Sequence, residues 1–198
     1  MMIVTIFIKL TGVLLAFPFF KPKIIGRKNL KHKGKLIIVS NHTSNYDPIL
    51  MYMLFLFRRI YPLTAEILFT YNKLFSWMLR QLGCFAVDRK NGDSNALHFM
   101  DNKLSKGKAI LIFPEGKRSK EISTFKNGAV TAAMKNDCYI LPIYIDGNYG
   151  IFKRVRVVVG EKIDFFSNKK ADYGRNEIME NTKILQEKVT ELKTRLEK

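Results

Sequence analysis

Short apolar runs alternate with helix-like patterns along the chain after residue 20. Apolar runs of this kind predict strands at Leu36–Ser40, Tyr61–Ala65, Cys84–Val87, Ala109–Phe113, Tyr139–Tyr144 and Arg154–Val159. Helical patterns separate them and predict helices at Pro48–Phe57, Lys73–Leu82, Ser94–Ser105, Gly128–Lys135 and Asn176–Leu196. This alternation predicts a single α/β domain, with a mixed, mostly parallel sheet flanked by helices.

Two segments are apolar without a polar face. Residues 1–20 are nearly all apolar, with one lysine at Lys9, and reach only the short limit for a spanning helix. We expect them to form a helix that lies on or half-inserts into a membrane, and a single membrane span and a buried core helix are the alternatives. Ile49–Phe57 is apolar all round, which favours burial and leaves contact with lipid as the second reading.

The charge of the chain is unusually positive. With 34 Lys and Arg against 17 Asp and Glu, the net charge of +17 indicates an anionic partner. A run without acids follows the apolar N-terminus, from Lys21 to Lys35, and such a run favours an anionic membrane surface. We therefore divide the chain into a membrane-associating segment, 1–20, and a domain, 21–198, at the cytoplasmic face of the cell membrane.

A histidine and an aspartate lie on one predicted loop between a strand and a helix. The loop Asn41-His42-Thr43-Ser44-Asn45-Tyr46-Asp47 follows the strand that ends at Ser40, and Pro48 marks a helix start with Asp47 as its N-cap. A carboxylate bonded to one imidazole nitrogen leaves the other free to accept a proton, so His42 and Asp47 can form a catalytic base and its orienting group. A plain loop histidine beside a capping aspartate is the alternative.

A second polar segment, from Glu115 to Ser119, follows the strand that ends at Phe113. Gly116 allows a sharp turn, while Arg118 and Lys117 offer a planar fork and a point charge for a phosphate. A solvated basic turn is the alternative.

Three other features are weaker indications. The predicted strand Cys84–Val87 is followed by Asp88-Arg89, and Arg89 at this strand end can face a ligand crevice. Pro142 predicts a sheet edge, a bulge or a cis peptide bond. Cys84 and Cys138 are far apart, lack metal-binding spacing and are interpreted as buried thiols in a reducing compartment.

Taken in order, these segments resemble the glycerolipid acyltransferase family. The family motif NHxxxxD is matched by Asn41, His42 and Asp47, and its FPEGTRS motif by Phe113–Ser119, with Lys117 in place of Thr. Weaker matches are Ala86–Arg89, to a pattern like PVDR, and the apolar block around Pro142.

The resemblance implies acyl transfer from an acyl thioester, on acyl carrier protein or coenzyme A, to the sn-2 hydroxyl of 1-acylglycerol-3-phosphate. His42 would be the base, Asp47 would orient it, and Arg118, Lys117, Gly116 and Arg89 would bind the acceptor phosphate. Glu115 would orient these phosphate-binding groups. No metal and no cofactor beyond the thioester co-substrate are expected.

The sequence leaves two other functions open. Thr64 stands where the family often has lysine, which keeps another lyso-lipid, such as a lyso-aminolipid, as a candidate acceptor. A basic nucleic-acid-binding module is a remote alternative, because the basic residues are not interleaved with aromatic stacking platforms. We expect anionic lipids, a lysophospholipid and a thioester carrier as partners, and no nucleic acid.

Overall fold

The computed structural model describes residues 2–16, 21–88, 94–151, 153–167 and 173–197. The strands of this described part are β1 (Lys21–Ile25), β2 (Leu36–Ser40), β3 (Ile60–Ala65), β4 (Phe85–Val87), β5 (Ala109–Ile112), β6 (Ile140–Ile145) and β7 (Arg154–Val159). Its α-helices are α1 (Met2–Ala16), α2 (Asp47–Leu54), α3 (Lys73–Leu82), α4 (Ser94–Ser105), α5 (Gly128–Lys135) and α6 (Arg175–Glu197). Two short 3-10 helices occupy Arg27–Leu30 and Glu66–Phe69.

The strands form one sheet in the order β1-β7-β6-β2-β5-β3-β4. The neighbouring strands β6, β2, β5, β3 and β4 are all parallel to one another. Strand β7 is antiparallel to β6, and β1 pairs with β7 in parallel. The predicted α/β domain with a mixed, mostly parallel sheet is therefore confirmed.

The sheet has a buried cluster of apolar side chains on each face. On one face, Ile37, Val39 and Ile110 pack with residues of α4, α5 and α6. On the other, Leu36 and Ile38 pack with residues of α2. Because both faces are covered, every residue of β2 is buried, which explains its continuous apolar sequence.

Strand β1 was not predicted, because its sequence Lys-Pro-Lys-Ile-Ile lies within the basic run that we assigned to a membrane surface. It is an edge strand with alternating exposure, paired with β7 from Lys21 opposite Arg154 to Ile25 opposite Val158. An edge position tolerates both the proline and the outward lysines. Only pairing with a strand distant in sequence defines it.

Helix α2 begins one residue earlier than predicted and ends three residues sooner. Asp47 is its first residue and Tyr46 its N-cap residue, without a side-chain cap, so the predicted capping role of Asp47 is wrong. The expected burial of the apolar segment holds for Leu50 and Met51, whereas Phe57, beyond the helix, is fully exposed.

Pro142 lies in β6, an interior strand, and the described residues contain no cis peptide bond. The prediction of a sheet edge or a cis bond is therefore wrong. Its carbonyl accepts a hydrogen bond from the Gly160 N–H at 2.9 Å, just before the paired register of β6 and β7 begins at Ile143. Proline has no N–H to donate, and the sheet tolerates this because Pro142 lies where the backbone pairing between β6 and β7 ends.

Helix α1 packs against α2 and α3 through polar side chains. The Thr5 hydroxyl donates to the Gln81 carbonyl at 2.9 Å, and the buried Lys9 ammonium donates to the Phe55 and Arg58 carbonyls at 3.3 and 2.9 Å. Phe7 and Leu14, in contrast, are largely exposed. None of the helices in the described ranges combines the length and apolarity that crossing a membrane requires.

Candidate active site

The candidate site begins where β2 ends, and Asn41 attaches this end to β6. The Asn41 side chain donates to the Ile145 carbonyl at 2.9 Å and accepts from the Ile145 N–H at 2.8 Å. The side-chain amide thus makes the two hydrogen bonds to Ile145 that a backbone peptide group of a neighbouring strand would otherwise make. The backbone of the following residue, His42, is thereby positioned at the carboxyl end of the parallel strands.

His42 and Asp47 are in direct contact, as their spacing led us to expect. His42 Nδ1 lies 2.8 Å from Asp47 Oδ2, and the carboxylate is fully buried. A carboxylate only accepts hydrogen bonds, so it retains the proton on Nδ1 and leaves Nε2 as the basic nitrogen. The His42 ring also stacks on Phe113, with centroids 4.3 Å apart.

The backbone around Asp47 supplies additional donors to its carboxylate. The N–H groups of Thr43 and Ser44 donate to Oδ2 at 2.6 and 2.8 Å, and the Thr43 hydroxyl donates to Oδ1 at 3.2 Å. These bonds satisfy a buried charge that would otherwise be costly to keep. They also orient the carboxylate toward the imidazole.

Tyr149, which the sequence analysis did not select, is a further donor to this carboxylate. Its hydroxyl donates to Asp47 Oδ1. Burial, followed by the neighbouring Asp47 charge, raises the pKa of the Tyr149 phenol well above its usual value, so the phenol keeps its proton. No sequence motif indicated this residue, because it lies 102 positions from Asp47.

Glu115 connects two loops, which differs from the expectation that it orients Lys117 and Arg118 toward a phosphate. Its Oε1 accepts from the His42 N–H at 3.0 Å, while Oε2 accepts from the N–H and hydroxyl of Ser123, both at 2.8 Å. The side chain is buried. Both carboxylate oxygens are therefore engaged in holding the loop of His42 against the segment after β5.

The basic groups after Glu115 lie at the surface beside the His42 loop. Arg118 is exposed and donates to the Asn45 side-chain oxygen, and the Ser119 N–H donates to the His42 carbonyl at 2.8 Å. Lys117 is also exposed. Both cations are therefore accessible to an anionic ligand next to the histidine.

Gly116 has the backbone conformation that its turn requires. Its φ of +67° lies in the left-handed region that favours glycine. A Cβ atom at this position would approach Lys126 Cε to 3.2 Å, so the Lys126 stem lies across the turn. Lys126 is a further cation at this site that the motif comparison did not reveal.

The remaining predicted site residue, Arg89, lies outside the described residues. Its neighbour Asp88 lines an apolar cavity of about 490 Å³ at the ends of β4 and β5. Leu63, Met100 and Phe113 line the same cavity. Because Phe113 also stacks on His42, the cavity adjoins the histidine.

The two cysteines are free thiols, as expected, but only Cys138 is fully buried, while Cys84 is partly exposed. Burial raises the pKa of the Cys138 thiol to about 12. Across the described residues, no group of three or more His, Cys, Asp or Glu side chains is arranged to bind a metal ion.

The chain is similar to proteins of one family. The acyltransferase family model matches residues 21–146, which is more than half of the chain. A probable 1-acyl-sn-glycerol-3-phosphate acyltransferase of Mycoplasma genitalium is 35% identical over 60% of this chain and 46% of its own length. The 1-acyl-sn-glycerol-3-phosphate acyltransferase of Streptococcus pneumoniae is 30% identical over 68% of this chain and 52% of its own length.

Other matches extend over more of the chain. A Bacillus subtilis 1-acyl-sn-glycerol-3-phosphate acyltransferase is 25% identical over 88% of this chain and 89% of its own length. The crystal structure of the 1-acyl-sn-glycerophosphate (LPA) acyltransferase PlsC from Thermotoga maritima has a TM-score of 0.71 at 23% identity, covering 96% of this chain and 80% of that one. At this identity the likeness supports the fold. The chain spans about half the length of the Mycoplasma genitalium and Streptococcus pneumoniae relatives.

Proposed function

The chain belongs to the acyltransferase family, and we propose on that basis that it transfers an acyl chain from a thioester to the sn-2 hydroxyl of 1-acylglycerol-3-phosphate. The product would be phosphatidate, a precursor of phospholipids. The observation that supports this proposal most strongly is the contact between His42 and a fully buried Asp47, beside two exposed cations.

In the proposed reaction, His42 Nε2 accepts the proton of the acceptor hydroxyl as its oxygen attacks the thioester carbonyl. The C–S bond then breaks, and the imidazolium returns the proton to the leaving thiolate. Asp47 retains the Nδ1 proton and stabilises the imidazolium. A general base of this kind contributes about 10²–10⁴-fold to the rate.

The acceptor phosphate would bind at the basic turn after β5. The Arg118 guanidinium can bind phosphate oxygens with two parallel N–H donors, and Lys117 adds a second charge. Arg118 already contacts Asn45, a residue of the loop that carries His42 and Asp47. A phosphate held there would therefore lie beside the loop of the catalytic base.

The apolar cavity next to Phe113 is suited to an acyl chain. Its lining includes Leu63, Leu97 and Met100, and its volume is about 490 Å³. Phe113 lines this apolar space and also stacks on His42. A chain bound in the cavity would have its polar end near the base.

We further propose that the protein works at the cytoplasmic face of the cell membrane. Exposed apolar side chains on α1, such as Phe7 and Leu14, would contact lipid, and the lysines of β1 would face anionic headgroups. Acyl carrier protein or coenzyme A would deliver the acyl group from the aqueous side, with no resident cofactor.

An acyl-transfer assay tests this function directly. The purified chain would be supplied with lysophosphatidate or a lyso-aminolipid, each with acyl carrier protein and coenzyme A thioesters. Transfer to lysophosphatidate is expected, and its absence with both donors would refute the proposal. Transfer to the lyso-aminolipid alone would instead assign the acceptor that Thr64, a non-cationic residue in β3, leaves open.

A further inference from the structure

A second cavity lies at the amino ends of the parallel strands, opposite to the carboxyl ends where His42 lies. It has a volume of about 360 Å³ and is bordered by α1, the segment before β3 and the residue before β5. Because β2, β3 and β5 are parallel, residues that precede β3 and β5 lie at the amino ends of the strands, whereas His42 follows the carboxyl end of β2. A ligand in this cavity would therefore not be the reacting acceptor.

The charge of this cavity is entirely positive among its described lining residues. Lys9, Arg58, Arg59 and Lys108 line it, and no carboxylate does. Lys9 and Arg58 are held by backbone carbonyls: Lys9 donates to Phe55 and Arg58, while Arg58 donates to His32 and Gly34. Two cations are thus held in place, and none of the acidic side chains in the described ranges lines the cavity to neutralise them.

Arg59 supplies an unused donor. Its Nε is buried, yet it finds no hydrogen-bond partner among the residues that the structure describes. Its guanidinium lies 5.3 Å from the centre of the Tyr61 ring, and the Lys103 ammonium lies 4.7 Å from the same ring. A buried N–H without an acceptor costs about 1–3 kcal/mol, so Nε does not satisfy the guanidinium charge, and the other guanidinium nitrogens are the ones available to a ligand in the cavity that Arg59 lines.

The crowding of cations also affects Lys9. Burial, followed by the charge of Arg59, lowers the pKa of Lys9 to about 8. An anion in the cavity would oppose both effects by offering a counter-charge to these groups.

We propose that this cavity is a phosphate-binding site, in which Arg59 and Lys108 donate to phosphate oxygens. Phosphate matches the site because it presents several acceptor oxygens and a charge that a guanidinium binds well. Ile6 and Leu10 line the same cavity, and Phe57 at its border is fully exposed, so the phosphate can belong to a lipid headgroup as well as to a free anion. Both sources share the same recognition chemistry.

The test compares Arg59→Gln and Lys108→Gln in the full chain with a matched control. Lys106→Gln also removes one positive charge. Lys106 is exposed, lies two positions before Lys108 in the sequence and does not line the cavity. One arm measures binding to vesicles of phosphatidylcholine with and without phosphatidylglycerol. The other measures the thermal midpoint with inorganic phosphate against chloride at equal ionic strength.

If a lipid headgroup binds, Arg59→Gln and Lys108→Gln should each weaken binding to phosphatidylglycerol vesicles about five-fold, while Lys106→Gln leaves it unchanged. If a free anion binds, phosphate should raise the thermal midpoint of the wild type and of Lys106→Gln, but not of Arg59→Gln. Equal effects of all three variants, or no effect in either arm, would overturn the site.

Discussion

The Tyr149 hydroxyl donates a hydrogen bond to Asp47 Oδ1, while the other carboxylate oxygen of Asp47 contacts His42 Nδ1. The phenol thus shares the negative charge that would stabilise a protonated His42. Because burial keeps the phenol protonated, it is a permanent donor to the pair. This places Tyr149 as a positioning residue for the proposed base.

Replacing Tyr149 with Phe should slow the chemical step of acyl transfer without weakening acceptor binding. Without the phenol, Asp47 loses one of the donors that hold its carboxylate against His42 Nδ1. We expect kcat to fall about tenfold at nearly constant acceptor KM, the cost of one hydrogen bond to a charged group. Tyr71→Phe, at an exposed position, is the matched control. An unchanged kcat would exclude this positioning role.

Removing the proposed base should abolish transfer without unfolding the protein. We expect His42→Ala to lower kcat by at least about 10²-fold, the usual contribution of a general base, while vesicle binding is retained. His98→Ala, on the exposed surface of α4, should behave like the wild type. The measurement is the rate of acyl transfer at saturating acceptor, and substantial residual activity would exclude His42 as the base.

Arg118 should act on acceptor binding and not on the chemical step. We expect Arg118→Ala to raise the KM for lysophosphatidate about tenfold, with a much smaller change in kcat, because a charged hydrogen bond contributes about 1.5–3 kcal/mol. Arg154→Ala, at an exposed residue of β7, controls for loss of charge. An unchanged acceptor KM would argue against a phosphate contact by Arg118.

Glu115 should affect stability and catalysis more than acceptor affinity. Glu115→Gln replaces an acceptor oxygen with an amide that cannot accept hydrogen bonds from both His42 and Ser123. We expect unfolding free energy to fall by about 1–3 kcal/mol and kcat to fall with it, at nearly constant acceptor KM. Glu121→Gln, at an exposed carboxylate that pairs with Lys193 at the surface, is the control. A change confined to the acceptor KM would indicate instead that Glu115 acts on the binding of the acceptor phosphate.

Lys9 should make stability depend on pH in the alkaline range. Its pKa of about 8 in the folded protein lies below the 10.5 of an ordinary lysine, so the unfolded chain binds more protons between these values. The wild type should therefore gain stability relative to Lys9→Met as the pH rises through this range. Denaturant unfolding at several pH values measures the difference, with Lys183→Met on α6 as control. A pH-independent difference would contradict the shifted pKa.

Local patterns were sufficient for much of the fold and part of the site. The strands β2 to β7 and helices α2 to α6 appear close to their predicted bounds, because apolar periodicity reports which residues face a core. The His42–Asp47 contact could also be expected from sequence, since five positions on one loop can bring a carboxylate to an imidazole.

Tertiary structure alone decided the contacts that join distant segments. Tyr149 reaches Asp47 across 102 positions, Glu115 reaches the His42 N–H across 73, and β1 is defined by its pairing with β7. The cation-lined cavity forms only where α1 meets Arg59 and Lys108. Periodicity describes the environment of each segment separately, whereas these contacts depend on how the whole sheet and its helices pack together.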